Sequence, residues 1–128
     1  MKHCLCMSTF SELKEQAEQD IRAHIQSTAP NSAHHFVMDE TNYFVDHAAG
    51  LLAALRVWGQ FRRMSDIDLQ ALIDLADAAT LEHIADVLAH SHDPDELHAS
   101  VALEAIAFAS PHQLHETLEL ARKGLQPS

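Results

Sequence analysis

The sequence predicts an all-α protein with about six helices, and three observations support this fold class. Three glycines and four prolines are the only strong helix breakers among 128 residues, and the gaps between them suit helices. Large apolar residues recur three and four positions apart, which is the spacing of one helix face. No segment alternates apolar and polar residues as a half-buried strand does. A chain of this length is expected to form one domain, 1–128.

Residues 9–63 are predicted to hold two helices. The first begins with a capping box, Thr9-x-x-Glu12, in which each side chain accepts a hydrogen bond from the other residue's backbone N–H. The proline and asparagine that follow this helix indicate a connection over residues 27–38. A second, longer helix is predicted from about Glu40 to Arg63, with its large apolar residues on one face.

Four short helices are predicted over residues 65–124, because one pattern recurs four times. Each repeat begins with a residue whose side chain can cap a helix, and large aliphatic residues follow four and eight positions later. The predicted caps are Ser65, Thr80, Asp93 and Ser110. The connections are only a few residues long, so consecutive helices are expected to lie antiparallel and to bury their apolar faces as stacked hairpins.

The third of these repeats carries a family resemblance. Residues 92–107 contain Asp-Pro, then an aliphatic-basic pair and a run of small residues, and close with Glu-Ala-Ile-Ala. This segment resembles the first helix of a short bacterial HEAT-like repeat, of the type named after phycobilisome lyases, and residues 110–123 resemble the second. His98 replaces the usual arginine, and Ala107 the usual glycine. The resemblance covers about residues 65–123 and implies a HEAT-like double hairpin that serves as a scaffold or recognition surface.

The charge of the chain is strongly one-sided. The formal net charge is −11 with neutral histidines, and no lysine or arginine occurs between Met64 and Ala121. A solvated helix face usually mixes both signs, because opposite charges one turn apart stabilise each other. An acidic chain lacks the basic footprint that nucleic-acid binding requires, so no direct nucleic-acid binding is expected. A basic protein partner is the first candidate for such a surface.

Histidines add a pH dependence to this charge. Protonation of all eleven histidines would bring the formal charge from −11 to 0. Because an unperturbed histidine titrates near ~6.5, the attraction of a basic partner is expected to weaken at mildly acidic pH.

The second and fourth short helices are predicted to carry the partner-binding face. On a helical wheel, each of them places two histidines and two carboxylates opposite its apolar stripe. In HEAT-like arrays such helices line one common surface, so the resemblance implies a single face. Its side chains are Glu82, His83, Asp86, His90, His112, His115, Glu116 and Glu119. Two separate solvated faces are the alternative interpretation.

Glu104 is predicted to be a buried structural ion. It shares a stripe with Leu97, Val101 and Phe108 on a helix that is otherwise mostly alanine, so this helix is expected to be apolar and buried all round. A buried carboxylate requires a donor, and the arginines near the end of the long helix are the expected partners. A catalytic acid is the alternative role.

Two further function classes stay open beside the favoured one, a non-catalytic interaction or regulatory module. An acidic inhibitor that mimics nucleic acid, as some small phage proteins do, would need carboxylates spaced like phosphates. A metal-dependent enzyme would need ligands from neighbouring helices, and His83-x-x-Asp86 and His112-x-x-His115 have the required one-turn spacing. These side chains point away from the predicted core, where supporting hydrogen bonds are scarce. We therefore expect no catalytic residue, no metal and no cofactor.

The expected location is the cytoplasm. No apolar run approaches the roughly 20 residues that span a membrane, and the first residues do not form a secretory signal. Cys4 and Cys6 are too few for a disulfide framework. Met1-Lys2-His3 offers ligands for copper or nickel, but a simple tail, or a start at Met7, is the favoured explanation. The exposed side of the last helix is a candidate homodimer contact.

Overall fold

A computed structural model describes residues 9–28, 38–60 and 62–125, which form six helices and contain no strand. The helices are α1 Phe10–Thr28, α2 Met38–Gln60, α3 Asp66–Leu75, α4 Ala78–Ala89, α5 Pro94–Ala107 and α6 Pro111–Leu125. The predicted all-α class is therefore confirmed. The candidate metal ligands at residues 1–3 and most of the predicted connection lie outside the described residues. Within the described ranges, no helix is long and apolar enough to cross a lipid bilayer.

Helix α1 begins at the predicted capping box. The backbone N–H of Glu12 donates to Thr9 Oγ1 over 3.1 Å, and the backbone N–H of Thr9 donates to Glu12 Oε1 over 2.9 Å. Ala17 and Ile21 lie on the buried face of α1. These contacts show why the helix begins where its sequence predicts, since both bonds join residues only three positions apart.

Helix α2 is the most buried element of the fold. Every residue from Ala48 to Leu55 is buried, and α1, α5 and α6 all pack against this helix. The helix ends at Gln60, earlier than predicted. Arg63 adopts a left-handed conformation with φ of 56°, and the N–H groups of Arg62 and Met64 both donate to the carbonyl of Gly59. This turn reverses the chain towards α3.

Three of the four predicted caps begin their helices. The side chain of Ser65 accepts from the N–H of the third helical residue over 3.3 Å, that of Asp93 over 3.1 Å and that of Ser110 over 3.2 Å. Each of these oxygens satisfies a donor that the helix leaves without an internal partner. Local sequence was sufficient here, because every partner lies within one turn.

The fourth predicted cap is wrong. Helix α4 begins at Ala78, and its cap is Asp77 rather than Thr80. The Asp77 carboxylate accepts from both the backbone N–H and the hydroxyl of Thr80, each over 2.8 Å. An aspartate three positions earlier lengthens the helix, and the threonine becomes the donor instead of the cap.

Helices α5 and α6 pack on α2, α3 touches α2 only slightly, and α4 joins the fold through α5. Helix α4 packs extensively on α5, and the hydroxyl of Ser100 on α5 donates to the carbonyl of Ala85 on α4 over 2.7 Å. Helices α5 and α6 touch each other only slightly, and both pack on α2. The α4–α5 contact is consistent with the antiparallel hairpins expected, while the HEAT-like pairing of all four helices stays a prediction.

The close packing of α6 on α1 and α2 makes Gly124 a test of this core. A Cβ atom at Gly124 would lie 2.9 Å from Ile21 Cγ1 and 3.0 Å from Leu52 Cδ2. We expect Gly124→Ala to lower the free energy of unfolding by about 1–3 kcal/mol, because the core has to shift to accept the methyl group. Urea unfolding followed by circular dichroism measures the change.

Gly50→Ala is the matched control for this substitution. Its Cβ would meet only Ala102 Cβ, at 3.9 Å, which is an ordinary contact. This variant should be as stable as the parent or more stable by about 0.5–1 kcal/mol, since alanine favours the helix over glycine. Equal effects of the two substitutions would contradict the packing described.

Candidate functional site

The predicted partner-binding side chains of α4 lie on an exposed face. Glu82, His83, Asp86 and His90 are all exposed. Leu81, Ile84, Ala85 and Leu88 of the same helix are buried on the opposite side. The helical wheel therefore assigned inside and outside correctly for α4, because its apolar and charged residues differ sharply in character.

The corresponding side chains of α6 are less accessible. His112 and His115 are exposed, whereas Glu116 and Glu119 are only partly exposed. Glu119 forms an ion pair with Arg122 of the same helix. This pair leaves Glu119 less able to attract a cation from outside.

The structure does not place the two predicted halves on neighbouring helices. Helix α4 packs on α5, whereas α6 packs mainly on α2, α1 and α3, and α4 and α6 are not among the helix pairs that pack together. The packing contacts run from α4 to α5, from α5 to α2, and from α2 to α6. The eight predicted side chains therefore belong to two regions of the described surface.

The α4 region continues onto α5 as an acidic groove, which we define by Glu82, His83, Asp86, Glu104 and Phe108. The groove has a volume of about 440 Å³, and alanines of α4 form its remaining walls. Among the described residues, the side chains of Glu82, Asp86 and Glu104 make no hydrogen bond or ion pair with one another or with a cation.

The three carboxylates of the acidic groove repel one another. Glu82 and Asp86 are four positions apart on one helix, a like-charge spacing that costs about 0.2–0.5 kcal/mol. Glu104 adds a third negative charge from α5. A cation supplied from outside would relieve this repulsion, so the groove is chemically suited to a positively charged group.

The prediction that Glu104 is a buried ion is wrong, because Glu104 is exposed. Its expected arginine partners are engaged elsewhere. Arg56 lies 3.8 Å from a carboxylate oxygen of Asp66, and the Arg62 guanidinium stacks 3.4 Å from the centre of the Trp58 ring.

Glu104 was assigned to the core because the wrong side of α5 was expected to face it. Leu97, Val101 and Phe108, which were expected inside, are 39%, 69% and 72% exposed. The buried side of α5 consists of Ala99, Ser100, Leu103, Ile106 and Ala107. Both sides of this helix are apolar, so hydrophobicity alone could not choose between them, and packing selected the side on which Leu103 and Ile106 alternate with small residues.

A second groove lies on the other side of α5, between α1, α2 and α5. It has a volume of about 470 Å³, and we call it the apolar groove. Its apolar walls are Phe10, Gly50, Val101, Ala102, Ala105 and Ile106. At its rim, Lys14 Nζ lies 3.0 Å from Asp46 Oδ1, so the nearest lysine is already paired.

Sequence reasoning missed Phe108 and the exposed side of α5. Phe108 follows the last residue of α5 and caps that helix through its own N–H, which donates to the carbonyl of Glu104. A signal was present in the order of residues, since Leu97, Val101, Glu104 and Phe108 follow one stripe. The stripe was recognised, but it was assigned to the core.

The histidines and carboxylates of this surface do not form a metal-ligand cluster among the described residues. Across the ranges that the structure describes, no three side chains of histidine, cysteine, aspartate or glutamate are placed to hold one ion. His90 and His83 lie on α4, and the Nδ1 atom of His90 contacts the backbone carbonyl of Asp86 at 2.7 Å.

A scan against protein-family models finds no match for this chain, and neither does a search of curated proteins or of solved structures. The relation of residues 65–123 to HEAT-like repeats therefore stays a prediction from their pattern. Function has to be inferred from the surface itself.

The start of α4 supports a prediction about pH. The backbone N–H of Thr80 and then its hydroxyl donate to Asp77, and these bonds hold the pKa of the carboxyl below its ordinary value of 3.8. A lowered pKa stabilises the fold above 3.8, and this stabilisation is lost as the pH falls through the lowered value. Asp77→Asn keeps the acceptor but removes the charge. Its melting temperature should lie below that of the parent at neutral pH, and the gap should close below pH 3.8.

Glu15→Gln is the control, since Glu15 is exposed on α1 and accepts no hydrogen bond from a described residue. Its melting temperature should follow that of the parent at every pH. Thermal unfolding by circular dichroism, measured from neutral to acidic pH, gives both curves. A gap for Asp77→Asn that widens towards acidic pH would exclude the proposed role of the charge.

Proposed function

We propose that this protein is a non-catalytic interaction or regulatory module that presents the acidic groove to a basic protein partner. The observation that carries this proposal is the grouping of Glu82, Asp86 and Glu104 in one groove, without a cation from the described residues. The proposal includes a cytoplasmic location and a HEAT-like origin for residues 65–123, which rest on the sequence.

Electrostatics favour a basic partner over a neutral one. An exposed ion pair contributes only about 0.2–1 kcal/mol, so three such pairs would add modest affinity. Their larger effect is on encounter rate and partner choice, because a one-sign surface attracts a basic protein over a distance of about 10 Å at moderate salt. Binding should therefore weaken steeply as the salt concentration rises.

The histidines add a second level of control to this surface. His83 lies in the acidic groove, and His90 lies one turn from Asp86 on the same exposed face of α4. The weaker attraction at mildly acidic pH that the sequence predicts for the eleven histidines as a group is part of this proposal.

The α6 half of the predicted face has a secondary part in this proposal. His112, His115, Glu116 and Glu119 would contact only a partner large enough to reach both helices. Glu119 already has an internal partner in Arg122. We therefore assign the principal contact to the α4–α5 side.

A charge-matched pair of variants tests the proposal. The variant E82Q/D86N/E104Q removes the three charges of the groove. The control E15Q/E18Q/D20N makes two Glu→Gln changes and one Asp→Asn change on α1, away from the predicted face, so both variants alter the net charge equally. The full chain captures its partner from host extract, and calorimetry on the purified partner then compares the three proteins.

We expect the groove variant to bind the captured partner about tenfold more weakly, since three exposed pairs at about 0.5 kcal/mol each correspond to that factor. The control should bind within about twofold of the parent, with the same dependence on salt. Equal binding by the groove variant and the parent would refute the proposal. Competition by duplex DNA for the same partner would favour the nucleic-acid mimic instead.

A further inference from the structure

We propose that the basic partner binds as an amphipathic α-helix laid along the exposed side of α5, with its apolar residues on that side and its cations in the acidic groove. This inference rests on the proposed function and adds the shape and chemistry of the partner. The surface that carries it is the α5 ridge, which we define as Leu97, Val101, Ala105 and Phe108.

The α5 ridge is an apolar strip that the described residues leave open. Val101 and Phe108 are among the most exposed large apolar residues of the described chain, and Leu97 is also exposed. These side chains follow one another at spacings of three and four along a single helix. A partner helix with apolar residues at the same spacing can bury several of them at once.

The two sides of the α5 ridge differ in chemistry, so the two edges of a bound helix would have to differ as well. The apolar groove lies on one side, where Val101 and Ala105 meet Gly50 and Phe10. The acidic groove lies on the other side, where Glu104 and Phe108 meet the carboxylates of α4. A helix that fits both sides carries lysine or arginine along one edge of its apolar stripe.

Charge excludes a second copy of this chain as the preferred occupant. Two-fold pairing through the ridge would bring identical surfaces together. Glu104 stands within this surface, and each copy has a net charge of −11. Such a dimer would set carboxylates against carboxylates, whereas a basic helix would neutralise them.

A pair of synthetic peptides tests the inference on the full chain. The first is a helical peptide of about 14 residues, made of alanine, leucine and lysine, with leucines at the i, i+4, i+7 and i+11 positions and lysines along one edge. The second has the same composition, but its leucines are spread around the helix. Fluorescence anisotropy measures the binding of each labelled peptide.

We expect the amphipathic peptide to bind about tenfold or more tightly than its isomer, because only it can bury the ridge. The variant V101S/F108S should abolish this preference. The control I67S/L75S changes two exposed apolar residues of α3, away from the ridge, and should preserve it. Circular dichroism confirms that both variants remain helical.

Three outcomes would overturn the inference. Equal binding of the two peptides would do so, and so would an unchanged preference in V101S/F108S. The third is a concentration-dependent dimer of the parent chain, seen by sedimentation and lost in V101S/F108S. If E82Q/D86N/E104Q weakens the binding of both peptides alike while V101S/F108S has no effect, the proposal of a basic partner is retained. The inference that the partner binds as a helix along α5 is then rejected. If that triple variant weakens neither peptide, the proposed function itself fails.

Discussion

The burial of α2 on nearly all sides is the constraint on which the other helices depend. Leu51, Leu52 and Leu55 are fully buried, as are the alanines between them. Each buried leucine contributes about 2 kcal/mol when it leaves water, so α2 requires covering helices on several sides. Helices α1, α5 and α6 supply that cover, and α4 reaches the fold through α5.

The surface of α5 follows from this packing. Small residues face α2 and α4, and Gly50 on α2 stands opposite Ala102 on α5. Small side chains at these contacts let the helix backbones approach closely, and Leu103 and Ile106 fill the rest of the buried side of α5. The larger residues Val101 and Phe108 are left outside, beside the carboxylates of α4. An apolar ridge therefore adjoins an acidic groove because Val101 and Phe108 lie on the side of α5 that packing leaves exposed.

Three cations of the described residues form ion pairs between helices other than α4 and α5. Lys14 pairs with Asp46 and joins α1 to α2, and Arg122 lies 2.8 Å from Asp74 and joins α6 to α3. Arg56 approaches Asp66 at the start of α3. Among the described residues, none of these ion pairs reaches the α4–α5 side. The one-sided charge of that region is thus a property of the folded surface as well as of the sequence.

Local pattern by itself determined the helical class, the approximate extent of the helices and three of four caps in the second half, because each depends on groups within one or two turns. It also determined which side of α4 faces water, since the two sides of that helix differ in polarity. The cap at Asp77 is also local, because its bonds reach only to Thr80, but the pattern was assigned to the wrong residue. Tertiary packing decided the central position of α2 and the outward direction of Glu104. It also separated α4 from α6. Alanine-rich helices can bury either side at similar cost in hydrophobic free energy, so only the fit of neighbouring backbones selects the buried one.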